Sequence, residues 1–181
     1  MSRKMSPISM VEQSPWHLYS RRKRETRMSD WAGIPGPKYY RPSEVEPALR
    51  SLAETAVETG DVGSGVRRAV GNDHAGTLYP AAVLAASRLL DIIEHRTGAP
   101  RRAALNILLD WWGTFQPEPG YEEFQDLSGD NVELVPALMN EVIAAKATIQ
   151  SIPDRDPIAR KPALVLLQCI EAGWVPFDPR Y

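Results

Sequence analysis

A chain of 181 residues, 43% hydrophobic and 24% charged, is long enough to bury one sizeable core. It has no apolar run near the ~20 residues of a membrane span, no apolar signal-peptide region and a single cysteine, which argues against a spanning helix, a secretory leader and an internal disulfide. The net charge of −2 is unevenly spread: residues 1–27 carry seven basic and two acidic side chains, a net of +5, and the rest carries fourteen against twenty-one, a net of −7.

Residues 1–27 show no apolar periodicity and are expected to be a disordered basic leader. The run Arg21–Arg27 could contact nucleic acid, and Met28 in "MSDWAG" reads as an alternative start that would make the leader non-native. The Gly, Pro and aromatic composition of residues 28–42 predicts an extended arm. A helical domain is predicted over 43–181. Ser43 and Glu46 have the form of a capping box, and Val45, Leu49, Leu52, Ala53, Ala56 and Val57 recur at helical spacing until Gly60. A short helix is predicted over Val66–Val70. In "GNDHAGTLYP", Gly71 or Asn72 is expected to turn left-handed, and Thr77 to cap a long helix to about Arg96.

"APRRAALNILLDWWG" predicts the next helix, with Arg102, Asn106 and Asp110 at spacing four on one face. Adjacent Trp111 and Trp112 point about 100° apart on a helix, so one is expected in the core and the other at the periphery. After an irregular stretch over 114–129, Asp130 or Asn131 is expected to cap a helix to about Gln150, and a last helix runs from about Asp156 to Ala172, bent or delayed by Pro162. Cys169 reads as a small core residue of that helix. No alternating strand pattern emerges, and the predicted class is all-α.

The elements also recur. Pro47-Ala48-Leu49, Pro80-Ala81-Ala82 and Pro136-Ala137-Leu138 each precede a basic pair followed by a second helix: Arg67-Arg68, Arg101-Arg102 and Arg160-Lys161. "APRRAALNILLDW" resembles the second helix of a HEAT-like repeat, and residues 43–172 resemble three such units. "HAGTLYPAAV" and "PEPGYEEFQD" are similar to segments of small bacterial HEAT-repeat proteins, some found beside secreted polymorphic toxins. The resemblance implies a right-handed α-solenoid of about three helical hairpins, and a cytoplasmic immunity protein as its function.

Enzymatic signals are weak. "GDVGSGV" lacks the glycines that a nucleophile elbow needs around Ser64, and His17, His74 and His95 have no ligand spacing. No metal, cofactor or catalytic residue is therefore expected. Asp73 and His74 could form an acid/base pair with Tyr79 assisting, but a turn between helices accounts for most of that stretch. Asp73 and His74 remain as candidates for a partner contact. HEAT-like alkylpurine DNA glycosylases use Trp and Asp to hold a damaged nucleotide, which gives Asp110, Trp111 and Trp112 an enzymatic alternative; a body at −7 opposes it by repelling phosphate.

The 114–129 stretch mixes Phe115, Tyr121 and Phe124 with Glu118, Glu122, Glu123 and Asp126, a combination of aromatic anchors and carboxylates suited to a basic protein partner. The leading expectation is a non-enzymatic module that occludes the active site of a basic toxin, with Arg102, Asn106 and Asp110 extending the surface. An adaptor whose leader contacts nucleic acid is the alternative.

Overall fold

The computed structural model describes residues 31–56 and 61–173; the leader, Met28, Val57 and Gly60 lie outside the described residues. The described chain is predominantly helical. Its helices are α1 (Pro42–Ala53), α2 (Ser64–Val70), α3 (Ala81–His95), α4 (Ala99–Gly113), α5 (Leu134–Ala144), α6 (Lys146–Gln150), α7 (Ile152–Arg155) and α8 (Arg160–Ala172). Short strands interrupt them: β1 (Gly71–Asn72), β2 (Thr77–Leu78), β3 (Gln116–Pro117), β4 (Glu123–Gln125) and β5 (Asn131–Glu133). No described helix is long and apolar enough to cross a membrane.

α1 packs on α2, and α3 on α4; α5 lies on α3, while α8 lies on α4 and is buttressed by α6 and α7. α4 is therefore covered on two sides, which explains why Trp111 and Trp112 are both buried, at 0% and 4% exposure, where one was expected at the periphery. α3 is more enclosed still: Ala81 to Ser87 are all buried, the small alanines letting neighbouring elements approach closely. Burying such apolar side chains contributes roughly 25 cal/mol for each Å² removed from water.

The helix ends depart from the capping expectations. α1 begins at Pro42, whose fixed φ suits a first helical position, and Glu46 turns outward to Arg88 at 3.5 Å instead of back to Ser43. Thr77 lies in β2, and the residue preceding α3 is Pro80. Asn131 lies in β5, and α5 starts at Leu134 after Glu133; the helix expected to reach Gln150 breaks at Ala145. The three prolines of the sequence repeat do not hold equivalent places: Pro47 is inside α1, Pro80 precedes α3 and Pro136 is in the first turn of α5.

"GNDHAGTLYP" forms a small antiparallel hairpin, Gly71 opposite Leu78 and Asn72 opposite Thr77, and β3 joins β2 in parallel. Gly71 is extended at φ −166°, and the left-handed residue is Gly76 at φ 65°. Gly71 is needed for another reason: a Cβ there would sit 2.5 Å from the Thr77 carbonyl oxygen. Residues 31–41 curl against the body, with Trp31, Ile34 and Tyr40 buried and the Tyr40 hydroxyl donating to the Trp31 carbonyl at 3.1 Å. Burial pushes the Tyr40 phenol up to about 12.

A buried ion pair joins the helices at one end. Arg101, in the first turn of α4, donates through Nε to the Ile93 carbonyl at 2.8 Å and through Nη1 to Asp156 at 3.1 Å. Asp156 also accepts the backbone N–H groups of Gly98, Ile158 and Ala159. Burial would raise its pKa, but these donors and the guanidinium outweigh that and hold the carboxyl below its ordinary 3.8. At the far end of the chain, Arg160 donates to the Pro153 carbonyl at 2.8 Å.

Asp156→Ala should lower stability by roughly 3–5 kcal/mol, because it strands a buried guanidinium. Since the folded pKa lies below the unfolded one, the carboxylate's contribution is complete above pH 3.8 and is lost as the pH falls through the folded value. The gap between wild type and Asp156→Asn in urea unfolding should therefore narrow below that pH; a constant gap would contradict the assignment.

Candidate functional site

An apolar depression lies where α3, α5 and the β4–β5 hairpin meet. It has a volume of about 240 Å³, and its apolar lining includes Ile34, Val83, Leu84, Phe124, Leu127 and Val132. The hairpin wall is held by Phe124 opposite Val132 in the antiparallel register, and by the Leu134 N–H donating to the Glu122 carbonyl at 2.8 Å. At the hairpin turn, Asp126 Oδ1 accepts the N–H groups of Ser128 and Asp130 at 2.8 and 3.2 Å, and Gly129 takes φ 85°. The charged residues lining the groove are Asp126, Glu133 and Glu141, all acidic.

Of the aromatic and acidic residues expected to bind a partner, Phe124 and Asp126 line this groove. Phe115 does not: at 6% exposure it is a core residue, because its segment is drawn inward where β3 pairs with β2. Glu118 is likewise occupied. Its carboxylate accepts the Tyr39 hydroxyl at 2.5 Å and the Thr77 hydroxyl, which ties the 31–41 segment, the β1–β2 hairpin and the 114–122 stretch together. Tyr79 packs edge-on against Tyr39 and Tyr40, at 5.8 and 6.1 Å between ring centroids. The hydrogen bond to Glu118 raises the Tyr39 phenol pKa, and burial raises that of Tyr79. Tyr121 is half-buried, while Glu122 and Glu123 stand exposed on the outer edge and do not line the groove; Glu123 accepts from Asn131 at 2.8 Å.

Arg67 of α2 gathers another set of the expected residues. Its guanidinium donates through Nε to Asp73 at 3.0 Å, through Nη1 to Asp110 at 3.1 Å and through Nη2 to Asp61. Burial works against the guanidinium charge, but the three carboxylates more than compensate and raise its pKa. Asp110 moves up from 3.8, chiefly because burial outweighs the attraction of Arg67. Asp73 thus has a structural role, and His74 beside it is exposed without joining it. The expected Arg102–Asn106–Asp110 surface is split. Eight residues of α-helix rotate Asp110 roughly 80° from Arg102, so Asp110 meets α2 while Arg102 and Asn106 line a separate hollow between α4 and α8.

Asp110 is paired with Arg67 while its side chain stays 45% exposed, and both tryptophans are buried, so neither indole ring is presented on the surface beside it. Among the described residues, Asp91, Glu94 and His95 bring possible ligand atoms within 4.8 Å of one another on the last turn of α3. Asp91 is also 3.5 Å from Arg88, a cation that competes with a metal there.

Arg67→Met should cost about 1–3 kcal/mol, the lower figure reflecting the solvent exposure of Asp61 and Asp110. The three facing carboxylates would then repel, the already raised Asp110 pKa would lose the opposing pull of Arg67 and climb further, and the variant's deficit should shrink as acid neutralises the cluster. A deficit independent of pH in chemical denaturation would show that the guanidinium acts through packing alone.

No protein-family model matches this chain, and the searches of curated proteins and of solved structures find no match either.

Proposed function

We infer that the chain is a non-enzymatic protein-binding module, a stack of helical hairpins of the HEAT-like, right-handed solenoid kind. The observation that carries this reading is the groove between α3, α5 and the β4–β5 hairpin, apolar at its floor and charged only by Asp126, Glu133 and Glu141. An apolar depression of this kind gains free energy from one inserted side chain, and an acidic rim favours a partner with Lys or Arg around that side chain. The net −7 of the sequence after residue 27 extends the same preference over longer range and speeds encounter with a basic surface.

The concrete form of the proposal is a cytoplasmic immunity protein that covers the basic active site of a cognate toxin. The HEAT-like resemblance of residues 43–172 supports it, together with the placement of Phe124 and Asp126 in the groove. The geometry shifts the weight from the outer edge of the 114–129 stretch to its inner wall.

The reading requires a neighbouring gene to encode a basic toxin domain, and calorimetric titration with that domain tests it. Ala137→Trp, which fills the groove, and Glu133→Lys with Glu141→Lys, which inverts its rim, should each weaken binding about ten-fold or more. The rim variant should also lose most of the salt dependence. Tyr121→Ala with Glu122→Ala and Glu123→Ala should change affinity by less than about three-fold, within about 0.7 kcal/mol. The reverse ranking would move the contact to the outer edge, and unchanged affinity in all three would remove the groove from the function.

A further inference from the structure

A second apolar depression, of about 340 Å³, lies between α4 and α8, on elements that do not line the groove. Leu109 of α4, Val165 of α8 and Ile158 ahead of α8 line it, and its charged residues, Arg102 and Lys161, are both basic. Ile158 and Val165 are 55% and 38% exposed, and a patch of open apolar side chains of this kind marks a contact surface.

The two helices start at the same end, where Asp156 accepts the Gly98 N–H ahead of α4 and the Ala159 N–H ahead of α8. Lys161 and Val165 therefore place the hollow along the first half of α8, and the chain leaves that helix at the other end. Gly173 follows Ala172 with φ 78° and ψ 176°, a conformation that is strained for any residue with a side chain. The sequence then reads "WVPFDPRY", with Trp174, Val175 and Phe177 apolar and Asp178 its one acid. Pro176 and Pro179 turn the residues before them away from helix, which favours an extended course at about 3.1 Å per residue.

The lengths agree. Measured back from Gly173 along α8, at about 1.5 Å per residue, Val165 lies about 12 Å away and Lys161 about 18 Å. On an extended segment that doubles back from Gly173, Phe177 falls at about 12 Å and Asp178 at about 16 Å. We propose that residues 174–181 double back along the furrow between α4 and α8 of the same chain, with Phe177 over Leu109 and Val165 and Asp178 paired to Lys161. Arg180 falls two residues further on, past Lys161. The basic residues 1–27 are a poor occupant, because the hollow carries charge of their own sign. A tethered segment also needs little intrinsic affinity, since its effective concentration is on the order of millimolar. The strap covers the open side of α8, the last described helix, as terminal caps do in stacked-hairpin proteins. It is independent of the partner groove.

Zero-length carbodiimide cross-linking of the full chain, followed by peptide mass spectrometry, tests the strap. Lys146 and Glu171, 3.5 Å apart, supply a reference link that reports a folded α8. Wild type should give a Lys161–Asp178 link whose yield does not change on dilution. Phe177→Asp should lower that yield about ten-fold, the loss expected from one buried aromatic side chain, while the reference link persists. Val165→Asp should do the same from the other side of the contact. Exchanging the charges, Lys161→Asp with Asp178→Lys, should keep a link between the same two positions. A wild type that forms the reference link without the Lys161–Asp178 link overturns the proposal, as does a Phe177→Asp yield equal to that of wild type. A link that joins isotopically labelled to unlabelled copies overturns it in favour of a second copy.

Discussion

The Arg101–Asp156 pair is the constraint around which the helices are arranged. A guanidinium and a carboxylate at 3.1 Å, both withdrawn from water, stand at a crossing of three segments. Arg101 reaches back to the last turn of α3 through the Ile93 carbonyl, while Asp156 holds the N–H of Gly98, ahead of α4, and those of Ile158 and Ala159, ahead of α8. Burying two charges is costly, and their attraction recovers that cost only when the remaining donors and acceptors are met. Here most of them are met by backbone, which makes the pair dependent on the correct register of the surrounding helices. A slip of one residue in α4 would break several bonds at once.

The same arrangement recurs more openly at Arg67, where three carboxylates converge on a single side chain. Between them, Arg67 and Arg101 give the basic pairs of the sequence a physical meaning. In the first two pairs the first member reaches forward, from α2 to Asp110 on α4 and from α4 to Asp156 before α8; the second member, Arg68 or Arg102, is exposed. In the sequence these pairs stand out only as the marker of a repeat. Their acceptors lie 43 and 55 residues away, too far for any local pattern to connect them.

Helices were legible because apolar residues at three and four report a buried stripe without any knowledge of what covers it. The covering itself was not legible. One of Trp111 and Trp112 was expected at the periphery, since nothing in their own segment announces that α8 packs on α4 as well as α3. The five strands among the described residues, of two or three residues each, are too short for alternation to register, and their pairing joins segments as distant as Thr77 and Gln116. Thr77, read as a cap, was claimed instead by Glu118. In the candidate site, the irregular composition of 114–129 did mark one wall of the groove, through Phe124 and Asp126. The walls contributed by Val83 and Ala137 carry no such mark; Ala137 stands out in the sequence only as part of the Pro136-Ala137-Leu138 recurrence. A groove assembled from four separate parts of the chain shows locally only where one of those parts is itself irregular.

Arg160 closes the series of basic pairs differently. No later helix offers it a carboxylate among the described residues, and it turns back to the Pro153 carbonyl of its own neighbourhood. The forward reach of Arg67 and Arg101 gives the molecule a direction, with each arginine requiring an acceptor supplied by a later segment of the chain. Among the described residues, Arg160 meets that requirement locally, and the ladder goes no further there. A designer wishing to lengthen this protein by one hairpin would have to free Arg160 from Pro153 and place an aspartate in the added turn, whereas insertion upstream of α1 would leave every existing rung intact.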